Sequence, residues 1–204
     1  MSSPHEWAAP SAPAFDGPAL LERAVGYTRI SLQLTASADP TARTPCAEWD
    51  LLTLLRHMDD SLAAFTDAAE IGYVDLVPVR SERSGPDAVQ TVVDRLKGRA
   101  CAMLAAWAQH PGTGHISVAN RALRSDVLAA AGSLEIAVHG WDVAQACGVN
   151  RPLPAGLALE LLDVVPLLVS DHDRPRRFAQ PVDLPLHVRP SSRLLGALGR
   201  HPGP

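Results

Sequence analysis

The chain has 204 residues, 47% of them hydrophobic and 20% charged, with a formal charge of −4. That length and balance describe one ordinary domain with a sizeable core, not a disordered chain, and the mild acidity leaves no electrostatic footprint for nucleic acid. No run reaches the roughly 18 consecutive apolar residues of a membrane span, the first residues lack the basic start and apolar core of a secretory signal, and three cysteines (Cys46, Cys101, Cys147) fit a reducing cytoplasm better than a disulfide framework.

Residues 1–16 are rich in Pro and Ser and predict a flexible tail. From Pro18 to about Ala38, apolar residues recur at helical spacing, and Pro40 stops this first helix. Asp50 is a good N-cap for a second helix, with Trp49 and Leu54 at the spacing of a hydrophobic staple and Leu51, Leu55, Met58, Leu62 and Phe65 forming one stripe. Residues 74–83 read as a connection. A third helix is predicted from about Pro86 to Gln109, with Val93, Leu96, Met103 and Trp107 inward, and 112–124 as a looser stretch. A fourth runs from about Ser125 to Cys147, closed by Gly148, and a shorter fifth from Pro154 to about Val169. Val182, Leu184, Leu186 and Val188 alternate as in a short strand, and SRLLGALG predicts a last short helix. The expected architecture is mainly α: an antiparallel four-helix bundle over 17–172 with a small α/β appendage over 173–204.

The fourth helix carries the chemical signal. Its only charged groups are Asp126, Glu135 and Asp142, with His139 able to ionise, so it should be buried on most of its circumference. Glu135 and His139 lie one turn apart on one face, with Asp142 near the same line. A carboxylate and an imidazole in apolar surroundings must be paired or metal-bound, because a bare buried charge is costly. A Glu-x-x-x-His pair offers two ligands to one metal ion, and His57, on the flank of the second helix's stripe, is the candidate third. Three protein ligands leave a position open for water or substrate. The same spacing also fits a Glu135–His139 hydrogen-bonded pair without a metal. His172 and His187 remain further candidates if the helices pack otherwise. Asp59 and Asp60, after His57, read as solvated, Cys46 as a structural residue of a turn, and Cys101 and Cys147 as core.

At these residues the sequence takes on a resemblance. TPCAEWDLLTLLRHM and LEIAVHGWDVAQACG resemble the paired motifs of the mycothiol-dependent maleylpyruvate isomerase-like proteins, a branch of the DinB superfamily, and RLLGALGRHPG is similar to the C-terminus of its short actinobacterial members. The resemblance implies a DinB-like bundle and a divalent metal, usually zinc with nickel or others as alternatives, held by His57, Glu135 and His139. It also implies a low-molecular-weight thiol such as mycothiol, bound at the open position as co-substrate and added to a small electrophile, or used in its isomerisation. Asp142 would orient a metal-bound imidazole or make a structural hydrogen bond, and Trp141 would wall the pocket or pack in the core. Arg193 or Arg200 could hold a carboxylate of thiol or substrate, or sit on the surface. Thiol-independent hydrolysis, ring opening or rearrangement at the same ligands is the alternative chemistry, and a metal- or ligand-binding bundle without turnover the alternative class. The partner expected is a small molecule, with no nucleic acid or membrane, in a monomer or homodimer.

Overall fold

The computed structural model describes residues 15–46, 48–74, 88–109, 114–171, 174, 178–185 and 187–202. The chain is mainly helical: α1 (Gly17–Gln33) with a 3-10 turn (Leu34–Ser37), α2 (Leu51–Ile71), α3 (Val89–Gln109), α4 (Ser125–Ala146), α5 (Ala155–Leu168) and α6 (Pro190–Ala197). Three short strands, β1 (Tyr73–Val74), β2 (His115–Val118) and β3 (Arg121–Arg124), form one sheet. Among the described residues no helix is long and apolar enough to cross a membrane. Most of the expected tail, 1–16, lies outside the described residues, but Asp16 caps α1 by accepting from the Ala19 N–H at 3.2 Å.

α4 is the central helix. Seventeen of its 22 residues are buried, which follows from a sequence almost free of charge. Its small residues let neighbours approach closely: Gly132 faces Leu21 and Phe65, and Gly140 faces Thr28, whose hydroxyl donates to the Ile136 carbonyl at 2.8 Å. Gly17 meets Ala129, so positions 17, 21 and 28 of α1 meet 129, 132 and 140 of α4 in the same order. The two helices therefore run parallel. α2 and α3 are parallel as well, since Asp59 pairs with Arg95 and Arg99 while the Trp107 indole donates to the Phe65 carbonyl. α2 opposes α4, with His57 on Glu135 and Phe65 on Gly132. The expected antiparallel order thus fails within each pair and holds between α2 and α4.

The sheet falls where the sequence suggested loose connections. β1 pairs parallel to β2, and β2 pairs antiparallel to β3. Ala119 and Asn120 both have positive φ, 47° and 64°, as the tight turn of a two-residue hairpin demands. Ile116 is buried and fixes this sheet to the helical core.

The C-terminal segment differs from the expected α/β appendage. Residues 178–185 form no strand; Leu186 lies outside the described residues. The Val182 N–H bonds the Gly196 carbonyl at 2.9 Å, and the Leu184 side chain covers Gly196. Alternation here reflects one side packing on α6 without a strand partner. α6 itself forms as expected and packs on α5 through Leu194 and Leu195, both fully buried.

Gly140→Ala should separate α1 from α4, because a methyl there overlaps the Thr28 hydroxyl and approaches its Cα within 3.1 Å. The expected loss is about 1–3 kcal/mol in urea unfolding. Gly26→Ala, at an exposed position of α1 with open space, should instead gain up to about 1 kcal/mol. Equal stabilities for the two variants would contradict the close α1–α4 approach.

Candidate metal centre

Two helices and one turn build the site. The turn before α2 is tied by Thr44, whose hydroxyl donates to the Trp49 carbonyl at 2.8 Å and accepts from the Cys46 N–H at 3.1 Å. Asp50 then caps α2, accepting from the Thr53 N–H at 2.8 Å, as its sequence position foretold. The cap fixes where α2 starts and so which residues face α4. His57 and Ser61, one turn apart on α2, both reach Glu135.

Three ring and carboxylate atoms converge. His57 Nε2 lies 2.6 Å from Glu135 Oε1, and His139 Nε2 lies 3.2 Å from the same oxygen. All three candidate ligand atoms fall within 4.8 Å of one another. Ligands bound tetrahedrally at about 2.0–2.1 Å sit roughly 3.3 Å apart. The donor set of two imidazole nitrogens and a carboxylate oxygen therefore fits a divalent ion of the zinc type, with small outward adjustment of the His57–Glu135 contact. The Ser61 hydroxyl donates to Glu135 Oε1 at 3.3 Å.

A second layer lies behind His139. Its Nδ1 is 2.9 Å from Asp142 Oδ2. Asp142 is wholly buried. The guanidinium of Arg200 grips it from the C-terminal segment, Nε to Oδ1 at 2.9 Å and Nη2 to Oδ2 at 2.7 Å. Cys46 Sγ completes the group, 3.5 Å from Asp142 Oδ2 and 3.6 Å from Arg200 Nη2. Cys46, His139 and Asp142 form a second set of mutually close potential ligands.

Aromatic cover comes from Trp49, whose ring centroid is 4.5 Å from that of His57 and 6.0 Å from that of His139. Trp49 also lines a cavity of about 390 Å³ together with Arg43, Thr44 and Pro45. Trp141, the tryptophan next to the motif, lies instead in the core at 2% exposure. Periodicity could not assign these roles, since Trp49 is also well placed for a staple and only the turn's path brings it over the imidazoles.

Other sequence candidates sit elsewhere. Arg193 is exposed on α6. His115, His187 and His201 are exposed, while His5, His110 and His172 lie outside the described residues. Asp59 is not solvated but fully buried between Arg95 and Arg99, each 2.7 Å away, whereas Asp60 is exposed. Those arginines sit on α3, so no local reading of α2 could pair them. Cys101 is exposed, not core, and Cys147 is half-buried.

The electrostatics of the cluster oppose burial. Burial alone would raise the Glu135 carboxyl, but the attraction and hydrogen bonds of His139 and His57 hold it well below the usual carboxylate range. Burial would lower His139, but Glu135, together with hydrogen bonding to Asp142 and Cys46, holds it well above the usual imidazole value. Asp142 is likewise lowered, with Arg200 and His139 outweighing desolvation.

In metal-free protein these shifts set a pH window. The His139 contribution is fully present below about 6.5 and is lost as pH rises through its raised value; the carboxylate contributions are present above about 4 and are lost as pH falls through their lowered values. Chelator-treated protein should therefore gain most from this cluster between about pH 4.5 and 6.5, with Tm declining on the alkaline side. His139→Gln should flatten that alkaline decline. Parallel alkaline slopes for wild type and variant would show that His139 holds no extra proton.

No protein-family model, no curated protein and no solved structure matches the chain.

Proposed function

We propose that this chain is a metal-dependent enzyme in a four-helix bundle of the DinB type, with a zinc-like divalent ion held by His57, Glu135 and His139. A low-molecular-weight thiol of the mycothiol kind would serve as co-substrate, to be added to a small electrophile or used in its isomerisation. A bound ion would supply Lewis acidity that lowers the pKa of a coordinated thiol, making the nucleophilic thiolate available near neutral pH.

The observation that carries this reading is the charge inventory of the cluster. Glu135 and Asp142 are anionic and Arg200 cationic, so with neutral imidazoles the group holds one net negative charge. A divalent ion reverses that to one net positive charge. An anionic fourth ligand then balances the site, and a thiolate is such a ligand. Without the ion, the missing positive charge is met by a proton on His139, in keeping with its raised pKa.

The chain's own residues bind and orient in this scheme. His57 and His139 present Nε2 from opposed helices, while Ser61 donates to Glu135 Oε1 and restrains the carboxylate. Trp49 shields the imidazoles.

Untagged protein should carry about one equivalent of zinc or a similar ion by mass spectrometry, and His57→Ala less than about a tenth of that. Conjugation of mycothiol to a haloarene, in which a C–S bond forms as carbon–halide breaks, should require the metal and vanish in Glu135→Ala. Turnover that persists in metal-stripped Glu135→Ala protein would overturn the reading. Zinc affinity should also weaken as pH falls from about 8 to about 6, with proton release on binding, because His139 must give up the proton that its carboxylate neighbours hold there. Affinity independent of pH would contradict His139 as a ligand.

A further inference from the structure

His139 stands between two carboxylates. Glu135 faces Nε2 at 3.2 Å and Asp142 faces Nδ1 at 2.9 Å. A neutral imidazole has one N–H to give. If it goes to Glu135, Nε2 is closed to a metal and the site becomes an internal hydrogen-bonded pair. If it goes to Asp142, the Nε2 lone pair faces the cluster and is free to ligate.

The structure bears on this choice through the far end of the chain. Arg200 engages both oxygens of Asp142 and so fixes the carboxylate plane, leaving Oδ2 aimed at Nδ1. The guanidinium is itself restrained, with Nη1 3.5 Å from the Leu198 carbonyl and only 12% of the side chain exposed. What delivers Arg200 is the end of α6. The Arg200 N–H bonds the Leu195 carbonyl at 2.9 Å and the Gly199 N–H bonds the Gly196 carbonyl at 3.0 Å, the pair of bonds that closes a helix through a left-handed residue. Gly199 is that residue, at φ +75°, and a Cβ there would lie 2.7 Å from the Ala179 backbone. Only glycine fits both the conformation and the space.

We propose that Asp142 and Arg200 are positioning residues of the metal centre, and that the Gly199 turn exists to place Arg200: together they assign the His139 proton to Nδ1 and keep Nε2 open for the ion. The C-terminal segment is thereby a working part of the centre and not an ornament on it. This rests on reading His57, Glu135 and His139 as metal ligands.

The test combines zinc affinity, by competition with a chromophoric chelator, with ¹⁵N NMR of the histidine rings in zinc-loaded and zinc-free protein. Wild type should show His139 protonated at Nδ1 in both states. Arg200→Met, Asp142→Ala and Gly199→Ala should each weaken zinc binding about 10- to 100-fold while far-UV circular dichroism stays unchanged. Asp142→Asn, which keeps one acceptor oxygen but sets an amide N–H against the guanidinium, should also weaken binding, and Arg193→Met should match wild type. Arg200→Lys, which keeps the charge but not the two-point grip, should fall between and serves if Arg200→Met does not fold. A bare Nδ1 in the wild type, or Arg200→Met and Arg200→Lys both within about twofold of wild-type affinity, overturns the proposal, as loss of a positioning partner is expected to cost at least about tenfold. If wild type takes up no zinc, the metal reading fails separately; the relay is still decided by exchange of the Nδ1 proton in zinc-free protein. That exchange should quicken by about tenfold or more in Arg200→Met if the grip on Asp142 protects it, and an unchanged rate refutes it.

Discussion

Every polar group on a helix buried nearly all round must find its partner inside the fold. α4 meets this constraint three times on one face. Glu135 is answered by His57 and Ser61 from α2, Asp142 by Arg200 from the C-terminal segment, and His139 by both carboxylates at once. Removing any partner would leave a desolvated charge, so the register of α2 against α4 and the path of the chain after α6 are set by the same few hydrogen bonds.

Packing makes that arrangement affordable in space. Glycines at 132 and 140 allow Leu21, Phe65 and Thr28 against the α4 backbone. α1 and α4 run parallel, as do α2 and α3, and α2 opposes α4. Parallel neighbours cannot be joined by tight turns, and the connections on either side of α3 contribute the small sheet that Ile116 anchors. The opposed α2–α4 pair is the one that brings histidines from two helices to a single carboxylate.

Chemistry and stability pull against each other at this cluster. Hydrogen bonds between the imidazoles and Glu135 stabilise the fold, and a metal bound there would take the same lone pairs. The Asp142 contact, held in place by Arg200, leaves Nε2 free, because it approaches His139 at the opposite nitrogen.

Most helices could be read from local signals, because hydrophobic spacing, the Asp50 cap and the glycine at 148 act over a few residues. The sequence also singled out Glu135 and His139, since a helix so poor in charge makes each remaining polar residue conspicuous, and it offered His57 as the third member. The rest depended on how the elements pack. Parallel or antiparallel packing depends on where long connections lead, which no periodicity records. Among the described residues, the alternating 182–185 stretch forms no strand, whereas Asp59 finds two arginines on α3. Trp49 displaced Trp141 as the aromatic beside the histidines because a turn, not a helix face, sets its position. Arg200 lies 58 residues from Asp142. Such a pairing is long-range, and local spacing carries no trace of it until the chain has folded.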